Sequence, residues 1–197
     1  GVQFTKGDYL LFLNNDTEMI TETALSELLG CCMREDVGAV GAKLLYSDDT
    51  VQHAGVVIGF GGYAGHVNMG IKRDDYGYMV RARINCNYSA VTAACMMTKK
   101  SLFEQVGGFD EQFVVACNDV DYCLKIRELD KWVIYNAFSE WYHYESKSRG
   151  YEDTPEKLKR FEGEVEKFQK KWPEILEKGD PFYNPNFPIN RAPFTWG

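Results

Sequence analysis

Apolar and polar positions alternate along the chain with two different periods. Tyr9–Leu13 is an unbroken apolar run, the pattern of a short buried strand, and it ends abruptly in Asn14, Asn15 and Asp16. From Thr21 the spacing changes. Leu25, Leu28, Leu29 and Cys32 recur at helical intervals, with Thr21 or Thr23 available as a cap and Glu22 near the start. Segment 37–46, VGAVGAKLLY, reads as a strand, and 50–60, TVQHAGVVIGF, as another. A Gly- and Tyr-rich stretch over 61–83 follows, and a connection of that length in a compact domain is usually functional or mobile. Extended, β-branched character resumes over 84–98.

The second half carries more helix. Segment 99–109 predicts a short helix stopped by Gly107 and Gly108. In 118–129 the residues Val120, Cys123, Leu124 and Ile126 share one face of a helix that starts at Asn118 or Asp119. KWVIYNAF, 131–138, predicts a strand. A charged helix follows over 154–172, with Thr154 as cap, Pro155 in the first turn, and a weak stripe of Leu158, Phe161, Val165 and Phe168. After Pro173 come Pro181, Pro185, Pro188 and Pro193 with aromatics between them, which predicts a surface wrap without regular structure. Strand–helix alternation without an internal repeat predicts an α/β fold. Residues 1–150 are expected to carry the chemistry, with the helix and tail of 151–197 packing on the same domain.

Composition narrows the function classes. The chain has 197 residues, 45% of them hydrophobic, enough for one core of ordinary size. The 12 Tyr, 12 Phe and 4 Trp argue against disorder. No apolar run approaches the roughly 20 residues of a membrane span, and no signal peptide is visible. A net charge of -7 argues against a nucleic-acid partner, whose phosphates call for Lys and Arg. Six cysteines show no metal-type spacing, and the adjacent Cys31 and Cys32 cannot easily bridge each other. All six are read as reduced thiols in a cytosolic setting.

Three polar clusters carry candidate chemistry, and each has a plain structural reading beside it. Asn14–Asn15–Asp16 is either a turn or a divalent-metal site where an open α/β sheet ends. Asn118, Asp119 and Asp121 either cap a helix or supply a general base fixed at its N-terminus. His143 leads Glu145, Ser146, Lys147, Ser148 and Arg149. It is either a half-buried polar residue or a metal ligand heading a loop that grips a diphosphate. His53 and His66 are weaker candidates; His66, in AGHVNMG, could touch a sugar.

The order of these clusters resembles the family 2 glycosyltransferases of the GT-A fold. GDYLLFLNNDTE is similar to their DxD-type segment, with Asn14 in place of the first Asp. SAVTAACMMTKKSLFEQVGGFDEQF resembles the acceptor-side floor with its GGFDE turn. NDVDYCLKIRE resembles the EDxD segment with Asn118 in place of Glu, and WYHYESKSRG resembles the branch found in bacterial polysaccharide and rhamnosyltransferase-like enzymes. The likeness runs from about Gly7 to Gly150. It implies a GT-A-like mixed sheet flanked by helices. The family's opening nucleotide-binding strands have no counterpart before Gly7, so the chain is expected to be the carboxyl-side portion of a catalytic domain, inactive in isolation, with an exposed sheet edge that favours homo-oligomers.

The resemblance implies inverting transfer of a hexosyl or deoxyhexosyl group from a nucleotide-sugar donor to a hydroxyl of a glycan or lipid-linked acceptor, in cell-surface polysaccharide synthesis. Asp16 and His143 would hold Mg²⁺ or Mn²⁺; Asn15, Lys147 and Arg149 would contact the donor. Asp119 would be the base, and Asn118 and Asp121 would orient the loop or bind the acceptor. The expected location is the cytoplasm, with peripheral association of the full-length protein at the inner face of the membrane. The alternatives are a noncatalytic carbohydrate-binding or scaffold domain, or a pseudo-glycosyltransferase, suggested by Asn14 and Asn118.

Overall fold

The computed structural model describes residues 1–144 and 154–195. In chain order the elements are β1 (Tyr9–Leu13), β2 (Thr17–Met19), α1 (Ala24–Cys32), β3 (Val37–Leu45), β4 (Val51–His53), β5 (Val56–Ile58), β6 (Ala64–His66), β7 (Cys86–Tyr88), β8 (Cys95–Lys99), α2 (Lys100–Gln105), α3 (Asn118–Glu128), β9 (Trp132–His143), α4 (Pro155–Lys171) and α5 (Pro173–Lys178). This is a mixed α/β fold. A sheet runs β1-β8-β3-β9-β2, with β4 added on β3 and β7 on β9; β5 and β6 form a separate hairpin.

β3 is the centre of the sheet. All nine of its residues are buried, which is why it reads as a continuous apolar run rather than an alternating one. Val40, Ala42 and Leu44 face α1 through Ala24, Leu28 and Cys32, together with Ile134 and Trp141. Ala39 and Leu45 face the opposite layer with Tyr135, Tyr122 and Ile126. Phe168 of α4 and Tyr183 and Phe187 of the tail belong to that same core.

β1 is antiparallel to β8, β8 is antiparallel to β3, and β3 is parallel to β9. β1, β3 and β9 therefore point the same way. The carboxyl ends of β1 and β9, which carry the Asn14–Asp16 turn and His143, emerge on one side of the sheet. β1 itself is an edge strand.

Three sequence expectations change. The strand expected over 50–60 is two strands, broken at Gly55, whose φ of +107° and close approach to the Tyr88 ring leave no room for a side chain. The segment 84–98 is likewise two strands, β7 and β8, pairing with β9 and with β1 and β3 respectively. The tail is more ordered than expected: it begins with α5, and Tyr183 and Phe187 are buried among Phe60, Tyr78 and Phe194. The prolines remove backbone donors, but the aromatics between them supply apolar surface that the core accepts.

Gly41 shows how tightly the layers meet. A Cβ there would lie 2.4 Å from Cβ of Val91, so the β3 backbone touches that side chain directly. Gly41→Ala is expected to cost about 1–3 kcal/mol by overpacking, read as a lower denaturant midpoint with an unchanged slope.

Candidate active site

The turn after β1 is tied down before it offers any side chain. Asn14 N–H donates to the Ala94 carbonyl at 2.9 Å, and Thr17 Oγ1 donates to the Asn14 carbonyl at 2.7 Å. β2 then pairs antiparallel with the end of β9, Thr17 opposite His143, and Tyr144 N–H donates to the Asp16 carbonyl at 2.9 Å. This register brings together two residues that are 127 positions apart. Asp16 Oδ1 lies 3.3 Å from His143 Nε2.

The imidazole is held in one tautomer. Gln52, buried on β4, donates from Nε2 to the His143 carbonyl at 3.3 Å, which turns its Oε1 toward the ring. His143 Nδ1 donates to that Oε1 at 2.7 Å. In the neutral ring Nε2 then carries the lone pair, and Asn14 Nδ2 lies 3.1 Å from it. An Asp at position 14 would set a second carboxylate against this lone pair, whereas the amide supplies a proton. Asn15 is exposed at the tip of the turn.

A carboxylate oxygen beside an imidazole lone pair is a donor set that draws a cation. Two adjacent ligands of one ion with bonds of about 2.1 Å lie about 3 Å apart, close to the observed 3.3 Å. Gln52 is the outer partner that fixes a ligating ring. The residues present thus fit a divalent metal as a two-ligand site whose other positions go to water and substrate. Among the described residues no group of three His, Cys, Asp or Glu gathers in this way.

The second cluster begins with a strained step. Cys117 is buried with φ +64°, a left-handed conformation that non-glycine residues adopt rarely, and it turns the chain into α3. Asn118 Oδ1 accepts from Asp119 N–H at 2.7 Å. Asp119 is half-buried: Oδ2 accepts from Ala93 N–H at 3.1 Å and Oδ1 from Val120 N–H at 2.9 Å. Each oxygen still has acceptor capacity, so a substrate hydroxyl can be added without breaking either bond.

Asp121 is different. It is 0% exposed, accepting from Trp172 Nε1 at 2.8 Å and pairing with Lys171 at 2.7 Å and Lys125 at 3.6 Å. It pins α3 to the α4–α5 corner and offers nothing to a ligand from solvent, so of the two roles expected for it only orientation is compatible with its surroundings. Lys147 and Arg149 lie outside the described residues.

Two supporting residues escaped the sequence reading. Gln52 had a signal, a lone amide in an apolar strand. Glu164 had one too: it stands on the helical stripe between Phe161 and Phe168. It is buried against the loop before α3 and accepts from the N–H groups of Val114, Val115 and Ala116 at 3.2, 3.3 and 2.6 Å.

A cavity of about 170 Å³ opens beside His143. Tyr46, Gln52, His66, Met69, Thr92 and His143 line it. His143 leads to Asp16, and Thr92 precedes Ala93, whose N–H holds Asp119. A broader groove of about 1430 Å³ lies between α3, the α4–α5 corner and the tail, but none of Asp16, Asp119 or His143 lines it. Of the three, only His143 lines the smaller cavity.

No family model matches the chain. Two curated bacterial proteins resemble it over nearly its whole length. It is 44% identical over 192 residues to protein y4gI of Sinorhizobium fredii, covering 97% of this chain and 21% of that protein. It is 38% identical over 187 residues to the O-antigen biosynthesis protein RfbC of Myxococcus xanthus, covering 93% and 14%. The chain therefore spans about a fifth or less of these relatives. Among solved structures it resembles the mannosyltransferase PcManGT of Pyrobaculum calidifontis, in complex with GDP-Man and Mn²⁺, with a TM-score of 0.50 at 17% identity over 76% of this chain and 35% of that one. The chain shares its fold with a mannosyltransferase. It also resembles GalNAc-T7 with UDP, GalNAc and Mn²⁺, with a TM-score of 0.54 at 11% identity, over 96% and 37% of the two chains. At these identities the likeness is one of fold, and chemistry has to be argued from the site.

Proposed function

We propose that the chain forms the metal- and base-bearing part of a glycosyltransferase that moves a sugar from a nucleotide-sugar donor to a hydroxyl of a glycan or lipid-linked acceptor in cell-surface polysaccharide synthesis. The observation that carries this reading is the Asp16–His143 pair, set at the ends of β1 and β9, with His143 lining a cavity whose wall includes Thr92, next to the Ala93 that holds Asp119. The O-antigen relative and the nucleotide-sugar complexes of the same fold support it.

Asp16 and His143 would hold Mg²⁺ or Mn²⁺, which when bound neutralises the charge gathering on a leaving diphosphate. Gln52 holds the His143 ring through Nδ1, and Asn14, 3.1 Å from Nε2, would give that nitrogen up to the metal. Asp119 accepts the proton of the attacking hydroxyl while Ala93 and Val120 hold its carboxylate in place. The acceptor oxygen bonds to the anomeric carbon as the diphosphate leaves from the opposite face, so configuration inverts.

The test is donor turnover by the full-length protein across UDP-, GDP- and dTDP-sugars. Activity is expected to vanish on chelation, return with Mn²⁺, and be absent in Asp16→Ala with the fold intact. Full activity of Asp16→Ala with the same metal dependence would refute the reading.

A further inference from the structure

Glu164 is 3% exposed on α4, at a position where an apolar side chain would pack without the cost of burying charge. What it holds accounts for it. Its two oxygens accept from three successive backbone N–H groups, Val114 at 3.2 Å, Val115 at 3.3 Å and Ala116 at 2.6 Å. Those amides lie in the connection between α2 and α3, outside any helix or strand that would give them carbonyl partners. The same face of α4 holds the rest of that connection. Lys167 donates to the Gln112 carbonyl at 3.3 Å, Phe168 meets Phe113 with ring centroids 6.5 Å apart, and Lys171 pairs with Asp110 at 2.7 Å. Glu164, Lys167, Phe168 and Lys171 are spaced i, i+3, i+4 and i+7, so one helical stripe carries every one of these contacts.

The connection ends in the strained step. Cys117 follows Ala116 directly, and a non-glycine residue keeps a φ of +64° only where its surroundings fix it. Two residues on stands Asp119, its oxygens on the N–H groups of Ala93 and Val120. Beyond it, Asp121 ties α3 to Trp172 and Lys171. The segment bearing Asp119 is thus clamped to α4 and the α4–α5 corner on both flanks. Asp121 fixes the helix, and Glu164 fixes the chain that enters it. With Glu164 gone, three N–H groups lose their acceptor, Cys117 is free to leave its left-handed conformation, and Asp119 is free to move off Ala93.

We infer that Glu164 is a positioning residue for proton removal: it touches no substrate and acts by holding 114–116 so that Asp119 keeps its aim. This rests on the transferase reading with Asp119 as base. The test is made on the full-length protein. Glu164→Gln keeps the shape and one acceptor oxygen but turns an amide N–H₂ toward the backbone donors, so at least one of the three bonds is lost. Its kcat should fall about tenfold with donor KM unchanged, within the hundredfold that a 1 Å misplacement costs. Hydrogen exchange over 114–116 should quicken in the same variant. In an Asp119→Asn background Glu164→Gln should lower kcat no further, because an effect that runs through Asp119 has nothing left to act on. Unchanged exchange, unchanged kcat, or the same tenfold loss in both backgrounds overturns the inference while the transferase reading stands. Turnover undamaged by Asp119→Asn removes the base itself, and the inference with it.

Discussion

Asp119→Asn is expected to lower turnover about a hundredfold or more, the usual scale for losing a general base, with little change in donor KM. The amide can keep one of the two backbone contacts, to Ala93 or Val120, but it cannot take a proton from an acceptor hydroxyl. Steady-state kinetics of the full-length enzyme with donor and acceptor read the effect. Asp121→Asn is the informative control. Its carboxylate is sealed between Trp172, Lys171 and Lys125, so its loss should lower stability more than turnover of the folded fraction. A mild Asp119→Asn beside a turnover-deficient, stable Asp121→Asn would reverse the assignment.

The second large effect concerns the sheet rather than the site. Lys43 lies in the middle of β3 and is 1% exposed. The parallel register sets it opposite Glu140 on β9, 3.0 Å away, and Lys43 also donates to the Arg73 carbonyl at 2.6 Å. Arg73 pairs with the other Glu140 oxygen at 2.7 Å. Glu140→Ala is expected to cost about 3–5 kcal/mol, because it strands a buried ammonium. Lys43→Met with Glu140→Leu should cost far less, since an apolar pair can replace a buried ion pair almost neutrally. Denaturant unfolding checks both, and equal losses in the two variants would contradict the account.

The same cluster gives a pH signature. Burial pushes the Glu140 carboxyl up, but the Arg73 and Lys43 contacts outweigh it and leave it below the ordinary value of 4.5. The unfolded chain then binds more protons than the folded one in that window. Stability from Glu140 is therefore full above about 4.5 and is lost as pH falls through the folded value. Glu140→Gln should flatten this part of the acid limb.

Much of this was legible because period and burial agree. β3 is buried on both faces and reads as one apolar run. Thr154 and Pro155 open α4 as written, the Thr154 side chain accepting from Lys157 N–H. β9 was cut short at Phe138 because its second half is polar. A bulge re-registers the strand between Ala42 and Lys43, with Asn136 Oδ1 accepting from Phe138 and Ser139 N–H, and the polar Glu140 then finds its partners across the sheet. Those partners are 97 and 67 positions away, at Lys43 and Arg73, beyond any local pattern. The site divides the same way. Asp16 and His143 were visible singly as residue types at strand ends. That they meet follows from the pairing of β2 with β9, and that His143 is turned correctly follows from Gln52 on a third strand.

The central claim is that Asp16 and His143 together hold a divalent cation with a nucleotide diphosphate. Titration calorimetry of the full-length protein with UDP, GDP and dTDP, each with and without Mn²⁺, measures it directly. At least one nucleotide is expected to bind only when Mn²⁺ is present, and Asp16→Ala and His143→Ala should each remove the metal-dependent part. Nucleotide binding that is indifferent to Mn²⁺, or unchanged in both variants, would contradict the claim.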